Sequence, residues 1–539
     1  VWSKPFHIEL ETRRGSMSVL SLCALAGVLA AAVRGQQVGT VSPEVHPPFS
    51  AQQCTKSGGC KDVPGELVLD AQWRWLHEKG GYTNCLSDAG WNATSCPDAA
   101  TCATHCELEG LDVKDYSEKV GVDLIPGGVK LSYISPKGAK SSRLYLLEGK
   151  DQYRMFKLKN REFSVTVDAS TLSCGLNGAL YFVEMPQNGG KDGTLNGAGA
   201  AYGTGYCDAQ CPRDMKFIPK IGANLKDWKK IDVMTPELEP TKFGPVGHYG
   251  ACCAEMDIYE ANREAGAYTA HPCDIDGLQA CEGEEGCGSK DRPGLGPCDK
   301  DGCGFNPYRV GERGFFGTGD GFTVDTSKPV TLVTQFVTSD HTDTGDLVEI
   351  RRVWIQDGKV IKNAKTTNIP GSYDSLTAEY CDKSVETYIN TTSYPFKELG
   401  GLKAMGKALE RGMVLTLSVW DDSIGRMLWL DGEKSKIDQN ENQPGITNGP
   451  CSFKSGTPGS LAQTGKDAFV AFTDVKFGEI GSTYAGGVLA GAALVADEAH
   501  KVPSYLQVLR KAIHVDSASD HNTVHFIQKQ AEAITRTEL

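Results

Sequence analysis

An all-β fold, a sandwich of antiparallel sheets tied by disulfides, is predicted by three observations. Apolar and polar residues alternate at period two through the body of the chain, helical periodicity is scarce, and 19 cysteines with 62 glycines point to many turns stapled by bridges. Of the 539 residues, 40% are hydrophobic, enough for a packed core and against a disordered, collagen-like or coiled-coil protein. The formal net charge of −13 argues against nucleic acid and anionic membrane as partners and leaves neutral partners such as sugars open.

The N-terminal region reads as a secretory signal. Met17 opens an apolar run that ends in small residues before Arg34-Gly35, and Arg13 and Arg14 precede it. A transmembrane anchor is the alternative, but the run is short and Arg34 closes it. Cleavage near Gly35 leaves Gln36 as the first mature residue, and residues 1–16 read as an upstream extension. Cys23 falls inside the signal, and the remaining 18 cysteines are an even set, as a disulfide framework in a secreted chain requires. Zinc is the competing reading. The pairs Cys207/Cys211 and Cys252/Cys253 lack finger spacings and have few histidines nearby. Nothing else in the chain asks for a metal or a cofactor. The sequons at Asn92 and Asn390 fit a secreted glycoprotein.

Strands follow in order. Phe163-Ser-Val165-Thr-Val167 is one; Val348, Ile350 and Trp354 mark another, and Asp357-Gly358 reads as a hairpin turn before Lys359–Ile361. In Met413–Trp420, Met413, Leu415, Leu417 and Val419 share one face, and Thr416, Ser418 and Trp420 the other. With no linker or repeat in between, residues 36–484 read as one domain. Beyond it lies an Ala/Gly-rich apolar patch from Gly486 to Ala496, then a short amphipathic pattern around Leu506, Leu509 and Ile513, and this tail of residues 485–539 receives no function.

The segment Cys252-Cys-Ala-Glu-Met-Asp-Ile-Tyr-Glu-Ala-Asn262 carries the chemistry. Glu255 and Asp257 are two apart and share a strand face, with Met256 and Ile258 on the opposite, core face. Glu260 sits at an odd offset, so a bulge or kink near Tyr259 is needed to bring it round. Two carboxyl groups about 5–5.5 Å apart are the machinery of a retaining glycosidase, one attacking the anomeric carbon and the other moving protons. A third carboxylate beside the nucleophile can share its proton and orient it. A solvated strand edge and a calcium site are the competing readings of such acids. Trp420, on the hydroxyl-bearing face, suits a sugar platform. Trp73 and Trp75 share the parity of Leu67 and Leu69, so taken singly they read as core, and Trp429 in Met-Leu-Trp-Leu is ambiguous in the same way.

In ordered combination these segments resemble glycoside hydrolase family 7, the cellobiohydrolases and endoglucanases that cut β-1,4-glucan with retention. The resemblance rests on residues 252–262, on Tyr-Gly-Thr-Gly-Tyr-Cys-Asp-Ala-Gln-Cys-Pro-Arg-Asp (202–214) and on Cys-Gly-Leu-Asn-Gly-Ala-Leu-Tyr-Phe-Val (174–183). Asp-Ala-Gln-Trp-Arg-Trp (70–75), Val-Trp-Asp-Asp (419–422) and Met-Leu-Trp-Leu-Asp (427–431) add to it. It runs from about Gln36 to Thr483 and implies a β-jelly-roll sandwich with a long glucan groove that loops roof into a tunnel in the cellobiohydrolases. It implies Glu255 as nucleophile, Asp257 as its supporting carboxylate and Glu260 as acid/base. His271 would sit near the product side. Trp75 would be the tunnel-entrance platform, Trp73 the next one in, Trp420 a substrate-side platform and Trp429 the first product-side one. Asn177, Tyr181, Tyr206, Asp208, Gln210 and Lys216 match groove residues that bond glucose hydroxyls, and Arg309 lies in the matching Asn-Pro-Tyr-Arg. The implied disulfides are 54–60, 85–106, 96–102, 174–451, 207–253, 211–252, 273–298, 281–287 and 303–381, with Glu107 standing where a tenth pair would have a cysteine.

The departures concern the roof and the product side. The loop from Cys287 to Cys298, usually missing in open-cleft endoglucanases, is present but shorter than in the best-known cellobiohydrolases and has lost its tip tyrosine. Ser423-Ile424 replaces a tyrosine pair, Asn448 an arginine that holds product, and Gly304-Phe305 an Asp-Trp pair, while Gly432–Gly449 is retained. The expectation is a secreted, monomeric cellobiohydrolase with a somewhat open tunnel, acting on cellulose from reducing ends and without a carbohydrate-binding module. An endoglucanase on the same fold and a non-catalytic glucan-binding protein are the alternatives.

Overall fold

The computed structural model describes residues 37–233, 241–288, 296–422, 424–433 and 444–484. The signal, the upstream extension, the C-terminal tail, Ser423 and the middles of the two loops discussed above lie outside the described residues. The strands that build the frame are β1 (Pro48–Thr55), β2 (Gly59–Leu69), β3 (Gly128–Ser132), β4 (Ser142–Leu147), β5 (Glu162–Asp168), β6 (Leu176–Val183) and β7 (Glu255–Ala261). They continue as β8 (Gly266–His271), β9 (Cys303–Phe305), β10 (Val330–Thr338), β11 (Leu347–Gln356), β12 (Lys359–Lys362), β13 (Met413–Asp421) and β14 (Phe469–Gly478).

Pairing sorts them into two antiparallel layers. The first runs β2-β4-β13-β6-β7-β8-β9. The second runs β3-β14-β5-β10-β11-β12. β1 closes one edge, antiparallel to β2 and parallel to β14, so the layers form one nearly closed sheet, the sandwich the alternation predicts and the jelly roll the resemblance implies. The layers meet because each strand has one apolar face. Leu180 and Phe182 of β6, Leu415 and Leu417 of β13 and Met256 of β7 pack against Phe163 of β5, Leu332 of β10 and Phe472 of β14. The Phe163 and Phe182 rings meet edge to face at 5.0 Å. Asp357 and Gly358 both have positive φ (51° and 73°), the pair a two-residue hairpin between β11 and β12 requires.

The helices of the body were not legible in the sequence; the two longest among the described residues are α1 (Ala378–Ile389) and α2 (Gly401–Arg411). In α2, Leu402, Met405 and Leu409 face the core, but two glycines interrupt the pattern. Gly406 is there for space: a Cβ would stand 2.7 Å from Cβ of Leu347 on β11.

All nine implied disulfides form. Cys174–Cys451 closes the longest loop, 277 residues, and ties the start of β6 to the segment that follows Asp431. The double variant Cys174→Ser/Cys451→Ser is expected to lose about 2–5 kcal/mol through the wider unfolded ensemble, lowering Tm by a few degrees in calorimetry.

Candidate active site

The second face of the first layer carries the polar residues. On β6, Asn177 and Tyr181 alternate with the core residues Leu180 and Phe182. On β7, Glu255 and Asp257 point the same way, and the bulge expected near Tyr259 falls at Ile258. Across β6, Tyr181 pairs with Asp257 and Leu180 with Tyr259, leaving Ile258 without a partner. Across β8, the register likewise slips between Asp257 and Glu260. Ile258 and Tyr259 therefore both enter the core, and Glu260 returns to the face of Glu255 and Asp257.

Covalent bridges fix the neighbouring loop. Cys207–Cys253 and Cys211–Cys252 bind residues 207–211 to the chain entering β7. The Ala209 N–H consequently donates to Glu255 Oε2 at 3.1 Å. Asp208 beside it accepts from Tyr206 Oη at 2.6 Å and from the Gln210 N–H at 2.8 Å. Tyr206 Oη stands 2.9 Å from Tyr181 Oη. The Asn177 amide donates to Glu260 Oε1 at 3.0 Å. His271, at the end of β8, places Nε2 3.0 Å from Asp257 Oδ2 and Nδ1 2.8 Å from the Asp299 carbonyl.

Burial and crowding shift the protonation of these groups. Burial, then the charges of Asp257 and Asp208, hold the Glu255 carboxyl well above its usual range. Burial and Asp257 push Glu260 up to about 8. Burial opposes charge on His271, but the hydrogen bond and charge of Asp257 outweigh it and raise the imidazole well above its ordinary value. The cluster thus pushes Glu255 and Glu260 toward their protonated forms and His271 toward its charged form, in one wall.

Two sets of aromatic rings belong to the same region. In the first, Arg143 lies 3.3 Å over the Tyr206 ring and 5.4 Å from the centre of Trp73, and it pairs with the buried Asp70 at 2.7 Å. Asp70 also caps a 3-10 turn at Ala71–Trp73, which breaks the strand parity shared with Leu67 and Leu69. Trp73 and Trp75 accordingly leave the β2 pattern, Trp73 half-buried and Trp75 at 36% exposure. Trp75 stacks on His77 at 3.8 Å, and its indole N–H donates to Asn84 at 2.7 Å. In the second, Trp420 and Trp429 stack at 6.1 Å, and Trp429 donates to Asp422 at 3.1 Å.

The remaining predicted residues serve the walls. Lys216 Nζ donates to the carbonyls of Gln72 and Arg74 at 2.6 and 3.2 Å, clamping the turn that carries the two indoles. Gln210 donates to the Lys300 carbonyl at 2.7 Å. Arg309 donates to the Gly445 carbonyl at 3.0 Å and lies 4.7 Å over Tyr388. Asn448 is buried, its amide directed to the carbonyls of Leu428 and Ile446. Phe305 is wholly buried between Tyr268 and Tyr380. Sequence reasoning missed Arg143, Asp70 and His77. The signal for Arg143 was present: an arginine on the polar face of the apolar strand Ser142–Leu147 needs a buried partner.

Comparison with known proteins places the chain and its fold in one family. A family model for glycosyl hydrolase family 7 matches residues 38–484. A family 7 cellobiohydrolase from Daphnia pulex is 43% identical, with a TM-score of 0.77 over 83% of this chain and 100% of that one. A cellobiohydrolase from Melanocarpus albomyces, solved with cellotetraose, is 38% identical with a TM-score of 0.73 and the same coverage. An endocellulase from Humicola insolens is 36% identical with a TM-score of 0.68, again over 83% of this chain and 100% of that chain.

Proposed function

This chain belongs to glycosyl hydrolase family 7, and we propose that it is a retaining cellulase that releases cellobiose from the reducing ends of cellulose chains. The observation that carries the reading is the Ile258 bulge, which gathers Glu255, Asp257 and Glu260 on one face beside two sets of aromatic rings. We take the chain to be a secreted monomer whose catalytic domain spans residues 36–484, a reading that the nine disulfides support as to secretion.

In the first step, Glu255 attacks the anomeric carbon while Glu260 gives its proton to the departing glycosidic oxygen. In the second, Glu260 takes a proton from water, which displaces Glu255 and restores the β-configuration. Glu255 must be ionised to attack. The Ala209 N–H favours that state, and the charge of His271 opposes part of the repulsion from Asp257. The Asn177 amide holds Glu260 in place for both steps.

Two observations bear on product release. Asn448 turns its amide into the backbone under Trp429, and Phe305 sits in the core, so neither offers the product a charged or aromatic contact. That supports loose product binding and weak inhibition by cellobiose. The test is a time course on amorphous cellulose that resolves soluble sugars against new insoluble reducing ends. Mostly cellobiose with few insoluble ends is expected. Mixed oligomers with many insoluble ends would replace this mode with an endo-acting one.

A further inference from the structure

A bulge leaves one residue without cross-strand partners, and its backbone polar groups need another source of hydrogen bonds. In β7 that residue is Ile258, wholly buried. Its carbonyl accepts a hydrogen bond from the guanidinium of Arg352, which reaches across the core from β11 in the second layer. Arg352 is 3% exposed. Its guanidinium lies 4.4 Å from the ring centre of Tyr268 and 5.2 Å from that of Trp354, and Nε is buried with no partner. Among the described residues no carboxylate pairs with it. A buried cation held by two aromatic faces and one carbonyl is a costly way to fill a core, and an apolar side chain of similar volume would be the cheaper filling.

We propose that Arg352 is a positioning residue for catalysis: by binding the Ile258 carbonyl it fixes the bulge at that residue and so keeps Glu260 on the face of Glu255. The parity of a strand makes the position decisive. If the extra residue migrates past Glu260, that carboxyl turns into the core and the site keeps its nucleophile but loses its acid. Smaller displacements also matter, since a shift of about 1 Å at a catalytic group costs on the order of 10²-fold. The proposal rests on the retaining reading above, and it predicts a selective defect: proton delivery suffers, and nucleophilic attack is spared.

The test compares wild type with Arg352→Met, which keeps the length and removes the donor, and with Arg352→Lys, which keeps one donor. Cellotetraose has a leaving sugar that needs a proton; 2,4-dinitrophenyl cellobioside has a leaving phenolate that does not. In Arg352→Met, kcat on cellotetraose is expected to fall roughly 10- to 100-fold with KM within about twofold. The initial burst of dinitrophenolate, which reports attack by the nucleophile, is expected to change less than about threefold. Arg352→Lys should recover part of the loss. Equal losses on both substrates, or a folded Arg352→Met with wild-type kcat on cellotetraose, would reduce Arg352 to a packing residue. Should Arg352→Met fail to fold, the same comparison in Arg352→Lys decides, with a selective loss on cellotetraose expected and an even one overturning the idea. A wild-type chain inactive on both substrates removes the retaining reading, and with it any acid for Arg352 to position.

Discussion

Glu255→Gln is expected to abolish cellulose hydrolysis, by on the order of 10⁴-fold or more, while leaving glucan affinity within about twofold. The substitution is nearly isosteric. The Ala209 N–H can still donate to the side-chain oxygen, so the loop held by Cys207–Cys253 and Cys211–Cys252 has no reason to move. What disappears is the anionic oxygen that forms the covalent glycosyl intermediate. Glu255 is also raised by burial and by its acidic neighbours, so removing its charge relieves repulsion, and the variant should unfold at the same or a higher temperature than wild type. Binding of cellotetraose by calorimetry and hydrolysis by reducing-sugar release separate the two effects. A variant that keeps more than about a hundredth of the activity would show that Glu255 does not form the intermediate. A non-catalytic glucan-binding protein would be indifferent to the change.

Glu255 and Asp257 were legible because a strand alternates, and any pair two apart must share a face. The odd offset of Glu260 requires a bulge near Tyr259, and the structure has it at Ile258. That residue could not be read locally. Its carbonyl is satisfied by Arg352, nearly a hundred positions away and in the other layer, and nothing in the sequence between them ties the two together. Trp73 and Trp75 failed for the opposite reason. Their parity with Leu67 and Leu69 was correct arithmetic on a strand that stops at Leu69, where Asp70 caps a turn and pairs with Arg143. The disulfides were implied by family resemblance and not by geometry, since eighteen cysteines permit many pairings. What they do for the site emerges only in three dimensions, where two of them deliver one backbone N–H to the nucleophile.

The second large effect concerns the proton. Glu260 is held at about 8 by burial and the charge of Asp257, so it keeps its proton through neutral pH and loses it as pH rises past that value. The acid form is the one the first step needs. The expected kcat/KM profile on cellotetraose therefore falls on its basic side through an apparent pKa near 8. Asn177 shapes that limb. Its amide donates to Glu260 Oε1 and favours the ionised form, so Asn177→Leu should move the limb upward in pH while lowering the rate. Glu260→Gln removes the limb altogether and costs roughly 10²- to 10⁴-fold on cellotetraose, the range of a single general acid. On 2,4-dinitrophenyl cellobioside the leaving phenolate departs unaided, so the variant should still form the glycosyl intermediate and then stall, because no base activates water. Azide, a nucleophile that needs no base, should release it and yield the β-glycosyl azide. Retained activity on cellotetraose, or no rescue by azide, would take the acid/base role away from Glu260 and with it the reason for the bulge.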